Sequence, residues 1–320
     1  MTGSLNLLAF YARQLSYTDF TDIHEAGARI KAIAMKSKDE VSRLAKALAF
    51  MTGSLTSHIE KLKEATAAKE KIESELKIAH DIQMSMVPHP PELARHDFEL
   101  AAHLEPAKEV GGDFYDFFFT GSRHLWIVIG DVSGKGVPAA LCMARGKTAI
   151  RLLAAGGQGV QSPSEILSKA NVELCRENDQ VMFITVFLAV LDMETGELRY
   201  SNAGHNPPYL INAAGTATRV DVRPGRPLGV RPAASFCDEF LVLPRGGLCF
   251  AYTDGVTEAM DPEGALFGEE GLAFALEGGG ATSPREHIMH VLAALRRHAA
   301  GAVQSDDITI LSVRFLGPAT

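Results

Sequence analysis

Phe183-Ile-Thr-Val-Phe-Leu-Ala-Val-Leu-Asp-Met-Glu-Thr-Gly-Glu-Leu-Arg-Tyr-Ser201 reads as two strands joined by a tight turn. The arms, Phe183 to Leu191 and Leu198 to Ser201, are rich in β-branched and aromatic residues. Between them Asp192-Met-Glu-Thr-Gly196 has hairpin chemistry, and Asp192 is taken as a turn residue only. Three further short runs have the same character: Leu125 to Ile129, Leu248 to Tyr252 and Ile308 to Val313. Helical stretches separate them at Val137 to Ala155, Ser164 to Arg176 and Pro284 to Ala300. Strands that pair as hairpins with long helices inserted predict an antiparallel α/β layered (α+β) domain, not a βαβ repeat.

Before this region the pattern changes. Up to about Met86 there is no proline, few glycines and a dense charge run from Glu60 to Glu75. Leu55, Ile59 and Leu62, and then Ile72, Leu76, Ala79, Gln83 and Met86, alternate at spacings of four and three, slightly out of phase. A narrow apolar stripe with charged flanks predicts a two-stranded coiled coil; a single solvated helix is the alternative. Val87-Pro88-His89-Pro90-Pro91 should end the helix. Upstream, Lys38-Asp-Glu-Val41 followed by Leu44, Ala47, Leu48 and Met51 resembles the second helix of a HAMP signalling module, with Ile23 to Ile33 as its connector. The expected organisation is a HAMP-like segment at 1–53, a coiled-coil linker at 54–88 and a catalytic domain at 89–316.

The 320 residues are 46% hydrophobic with a formal net charge of −8, which argues against non-specific nucleic-acid binding. Cys142, Cys175, Cys237 and Cys249 are scattered, as free thiols of a reducing compartment would be. No apolar run reaches the roughly 18 residues of a membrane span, and no secretory signal opens the chain. A cytoplasmic location is expected.

The chemistry lies where strands run into aspartate. Leu125 to Gly130 meets Asp131, Leu248 to Thr253 meets Asp254, and Asp306-Asp307 open the run Ile308 to Val313. Gly111-Gly112 precede Asp113, and Asp116 follows. A carboxylate at a buried strand end is unfavourable unless something positive neutralises it. Hard divalent cations with oxygen ligands resolve that conflict, and a pair of them can act on a phosphoryl group.

Seven motifs in order then carry a resemblance. They are Ala79-His-Asp-Ile-Gln-Met-Ser-Met-Val-Pro88, Gly111-Gly-Asp-Phe-Tyr-Asp116 and Gly130-Asp-Val-Ser-Gly-Lys-Gly136, then Asn202-Ala-Gly-His-Asn-Pro-Pro208, Pro227-Leu-Gly-Val230, Tyr252-Thr-Asp-Gly-Val-Thr-Glu258 and Asp306-Asp-Ile-Thr-Ile310. From about Leu76 to Val313 the chain resembles the bacterial PP2C-like serine phosphatases of the stage II sporulation protein E and sigma-B regulator type. The resemblance implies two stacked antiparallel sheets flanked by helices. It implies hydrolysis of phosphoserine or phosphothreonine on a protein, here an anti-anti-sigma-type regulator, with two Mn²⁺ or Mg²⁺ ions. It makes Asp113, Asp131, Asp254 and Asp306 metal-site carboxylates, Val132 a carbonyl ligand and Asp131 the bridge. Asp131 and Asp254 are then the catalytic pair, with Asp116 and Asp307 further out. A homodimer through the N-terminal helix would control activity. A partner-holding scaffold without turnover is the rival reading.

Other motifs carry less. Ser133-Gly-Lys-Gly136 lacks phosphate-loop spacing, so its glycines are read as packing and helix entry, with Lys135 kept as a candidate substrate contact. His205 is read as a turn-holding residue, with a role as general acid left open. Gly111-Gly-Asp-Phe114 lacks the acidic residue a diguanylate cyclase signature needs, and no Gly-x-Ser-x-Gly elbow occurs.

Overall fold

The computed structural model describes residues 40–318 apart from 90, 157–159, 177, 180 and 279–282, with scattered residues before 40. The chain divides into two compact units, 1–75 and 76–320. Helix α1 (Glu40–Met86) is continuous and ends where Val87-Pro88 was expected to stop it. It runs without interruption through the expected boundary at 53. Much of the proposed HAMP connector at 23–33 lies outside the described residues. Along α1, Leu55, Leu62 and Ile72 are exposed.

Residues 76–320 form two antiparallel sheets between two helical layers. Sheet A runs β1 (Glu92–Ala94), β2 (Phe98–Glu105), β11 (Ile308–Phe315), β10 (Leu248–Tyr252), β7 (Tyr209–Ile211), β8 (Ala217–Arg219). Sheet B runs β3 (Phe114–Thr120), β4 (His124–Val132), β5 (Ile184–Asp192), β6 (Glu197–Ala203), β9 (Glu239–Val242). The hairpin that opened the analysis is β5–β6, with Leu191 facing Leu198. Asp192 closes its turn, accepting the backbone N–H of Glu194 while Arg123 grips the same carboxylate.

Period-two patterning sorts the side chains into layers. On β4, Leu125, Ile127 and Ile129 point between the sheets to meet Phe98, Leu311 and Val313. Trp126 and Val128 point the other way, against α2 (Val137–Ala155) and α3 (Pro163–Cys175) through Ile150 and Ile166. Sheet A does the same with α5 (Gly268–Gly278) and α6 (Pro284–Ala299), placing Phe250 and Ile310 against Leu272 and Val291. A strand covered on both faces shows an unbroken apolar run, which is why β4, β5 and β11 were legible. Serine and proline start the helices: Ser162 and Ser283 cap α3 and α6, each followed by proline. Among the described residues no helix is long and apolar enough to cross a membrane.

Asp116 corrects one expectation. It points from β3 toward α2, where Lys147 pairs with it at 3.0 Å and Arg151 at 3.4 Å. Asp116 and Lys147 are both almost fully buried. Burial pushes the Asp116 carboxyl up, and Lys147 then Arg151 pull it back. This aspartate anchors a helix and does not belong to an outer metal shell. Breaking such a pair from one side leaves an uncompensated buried charge. Lys147→Met should therefore destabilise the protein by about 3 kcal/mol in urea denaturation. Adding Asp116→Leu to that chain should recover most of the loss; a double variant no better than Lys147→Met would show that the pair is not what holds α2.

Candidate metal centre

Antiparallel register brings the acidic residues together. The start of β3 lies opposite the end of β4, with Phe114 facing Gly130, so Asp113 and Asp131 flank the same edge of sheet B. The end of β10 lies opposite the start of β11, with Tyr252 facing Ile310. Asp254, which opens the short helix α4 (Asp254–Thr257), and Asp306 thereby flank the matching edge of sheet A.

Two glycines permit the closest approaches. A Cβ on Gly112 would stand 2.8 Å from the Val132 carbonyl oxygen, so the segment leading to Asp113 lies against the proposed carbonyl ligand. A Cβ on Gly255 would stand 2.0 Å from the carbonyl oxygen of Asp307, so Asp254 is held against the 306–307 turn. Any side chain at either position would push the acidic segments apart.

Asp113 is the most deeply buried of the set. Its Oδ2 accepts hydrogen bonds from the hydroxyls of Thr253 and Thr309, both at 2.7 Å. Asp307 organises the approach: its carboxylate accepts the backbone N–H groups of Ala107 and Gly112 at 2.7 Å. Sequence reasoning missed both threonines, although each stands inside a quoted motif within two residues of an aspartate.

The electrostatics show how crowded the edge is. Burial raises the Asp131 carboxyl to about 7, with Asp254 and then Asp306 and Asp307 adding to it while a hydrogen bond from Asp113 opposes. Asp113 is pushed well above the usual carboxylate range by burial and then by Asp131, against the pull of the two threonines. Asp254 is raised by burial, Glu258 and Asp306, with Lys135 pulling it back. Among the described residues no three His, Cys, Asp or Glu side chains close to metal-ligand spacing. The donor chemistry still fits a hard divalent cation: every donor is oxygen, and the carboxylates raise one another's pKa for want of positive charge.

His205 stands behind this edge. Its Nδ1 lies 2.9 Å from the hydroxyl of Thr185, which sits opposite Asp131 on β5. Asn202 clasps its backbone on both sides, donating to the His205 carbonyl and accepting its N–H. Burial lowers the ring to about 4, so it is neutral at pH 7 and holds its turn, as the sequence reading favoured.

Residues 121–316 match a family model described as Stage II sporulation protein E (SpoIIE). Protein IcfG of Synechocystis sp. is 32% identical over 265 residues, 75% of this chain and 41% of that protein. Phosphoserine phosphatase RsbU of Bacillus subtilis is 32% identical over 200 residues, 62% of this chain and 58% of that protein. The chain thus spans about half the length of the curated relatives it matches. Among solved structures, the SiaA-PP2C domain of Pseudomonas aeruginosa has a TM-score of 0.68 at 25% identity, covering 78% of this chain and 99% of that one.

A carboxyl raised from its ordinary value to about 7 leaves the folded state holding more protons than the unfolded state between those limits. Stability in chelator should fall as pH rises from about 4 to about 7. Asp131→Asn removes that charge. In EDTA at pH 8 the variant should be more stable than wild type by up to about 4 kcal/mol in thermal or urea unfolding, with the gap closing as pH falls to about 4. A gap that does not change with pH would refute this origin.

Proposed function

The chain belongs to the stage II sporulation protein E family, and from that premise we propose that it is a metal-dependent protein serine/threonine phosphatase. It is a phosphoric monoester hydrolase acting on phosphoserine in a regulatory protein of anti-anti-sigma type. The observation that carries the reading is the convergence of Asp113, Asp131, Asp254 and Asp306 at one edge of both sheets, each charge sensed by its neighbours.

In this reading Asp113, Asp131, Asp254 and Asp306 and the carbonyl of Val132 hold Mn²⁺ or Mg²⁺, with two ions expected. Such ions polarise a phosphoryl oxygen and lower the pKa of water. The chain's own residues supply position. Thr253 and Thr309 fix which way the Asp113 carboxylate faces. Asp307 holds the loop before it, and Gly112 and Gly255 let the acidic segments meet. Neutral His205 stabilises the β6 turn through its backbone bonds to Asn202.

Control enters through α1. Gln83 donates to the carbonyl of Gly111 at 2.7 Å and accepts the Gly111 N–H at 3.1 Å. His80 Nδ1 lies 2.7 Å from the carbonyl oxygen of Glu109. The last turns of α1 therefore grip the backbone just before Asp113. Upstream, the exposed stripe of Leu55, Leu62 and Ile72 supports a homodimeric coiled coil. A shift in that dimer would reach the centre through Gln83.

The first test is phosphate release from a small aryl phosphate with and without Mn²⁺. Wild type should turn over only with metal, and Asp254→Asn should lose on the order of 10²-fold or more. Equal, metal-independent rates in both would remove the phosphatase reading and favour a partner-holding scaffold. For control, Ile72→Ser with Leu76→Ser should give a monomer by light scattering and change turnover several-fold. A monomer with unchanged turnover would sever the helix from the site.

A further inference from the structure

Asp306 already has a cation on it. Lys135 Nζ lies 2.9 Å from Asp306 Oδ2, and it also donates to the carbonyl of Ser305. The other carboxylate oxygen, Oδ1, accepts the backbone N–H of Asp307 at 2.9 Å. Both oxygens of Asp306 are therefore engaged within the chain. Lys135 reaches this place from the loop that follows Asp131. Gly134 and Gly136 on either side of it have φ of 85° and 79°, a left-handed backbone that reverses the chain before α2 begins. The same ammonium opposes the rise at Asp254. Both partners are about one-third exposed, at 34% and 33%, so water and ions can reach the pair.

We propose that Lys135 is a tethered counter-ion that competes with the divalent metal for Asp306, so that loading the centre requires its ammonium to leave. The inference rests on the reading of Asp306 as a metal carboxylate. A hard cation bonds to an oxygen lone pair directly. Oδ1 already accepts the Asp307 backbone N–H, so Oδ2, the atom that Lys135 holds, is the oxygen more open to the ion. An ammonium is a compact charge on a flexible stem, suited to withdraw without disturbing the backbone. While it stays, its charge also opposes the arriving ion. At the effective dielectric near a protein surface that repulsion is worth about tenfold or more in affinity. Lys135 thereby relieves the crowding of like charges when metal is scarce and sets the concentration at which metal replaces it.

The test is Mn²⁺ binding to the full chain after chelation and dialysis, followed by calorimetry and by the electron paramagnetic resonance signal of free Mn²⁺. Lys135→Gln should bind Mn²⁺ about tenfold more tightly than wild type, and its melting temperature should rise further on adding Mn²⁺. Lys135→Arg keeps the charge and should stay within about threefold of wild type. Lys135→Met repeats the neutral arm if the glutamine variant folds poorly. Equal or weaker binding in the neutral variants, with wild type binding normally, would overturn the competition. If wild type binds no Mn²⁺ and matches Asp254→Asn, the metal-centre reading fails and this inference goes with it.

Discussion

The two hydroxyl hydrogen bonds onto Asp113 join the halves of the sandwich where the charges meet. Asp113 precedes β3 of sheet B, whereas Thr253 follows β10 and Thr309 lies on β11, both of sheet A. A fully buried carboxylate must be hydrogen-bonded or it drives the sheets apart. These contacts satisfy one oxygen of Asp113 and fix the edges of the two sheets relative to each other. Asp131, Asp254 and Asp306 take their separation from that junction. The apolar layer between the sheets is close-packed, but its attraction is non-directional. The threonine contacts are directional, so they add an orientation that the apolar contacts alone do not give.

The legible and illegible parts of the sequence divide along physical lines. Helix Val137–Ala155 and strand Leu248–Tyr252 have the bounds expected from their residues. Both lie between clear signals, Gly136 before and Gly156 after the helix, Gly247 before and Asp254 after the strand. Strand β3 was hidden because Phe114 to Phe119 was read for its aspartates and not for its aromatic run. Strand β2 was missed because Glu99, His103 and Glu105 interrupt its apolar pattern. Helix α5 has glycines at Gly268, Gly271 and Gly278, which weaken any helical signal. The acidic motifs fall at one edge of the sheets, but the motifs alone could not sort their members. Asp113 and Asp116 are three residues apart on adjoining chain, yet the first faces the carboxylates and the second faces Lys147. The available hint was on the helix: Lys147 and Arg151 are spaced by four and so share one face, which needed a buried anion opposite.

Helix α1 shows a different economy. Its charged middle carries exposed i,i+4 pairs such as Lys69–Glu73, which hold a helix weakly and are screened by salt. The last turns replace them with contacts to backbone: Gln83 satisfies both the donor and the acceptor of Gly111. A primary amide that bonds a peptide group on both sides behaves like one more rung of a ladder and transmits position, not only attraction. That is the property a control element needs, because a small displacement of the helix must move the Gly111 backbone or break two hydrogen bonds.

Substrate charge imposes a further constraint on such a site. A phosphoserine approaches as a dianion, so an edge of bare carboxylates repels it. Lys135 supplies one positive charge and offsets only part of the set. On the proposed reading the centre is inert toward phosphoserine until enough positive charge has entered, and Lys135 delays that entry. On that reading, stability of the metal-poor fold and readiness for phosphate are opposed at one atom, Asp306 Oδ2. Placing the lysine on a glycine-flanked loop one residue short of α2 reconciles them, because the ammonium can move while Asp131 and the helix stay where β4 and the Asp116–Lys147 pair hold them.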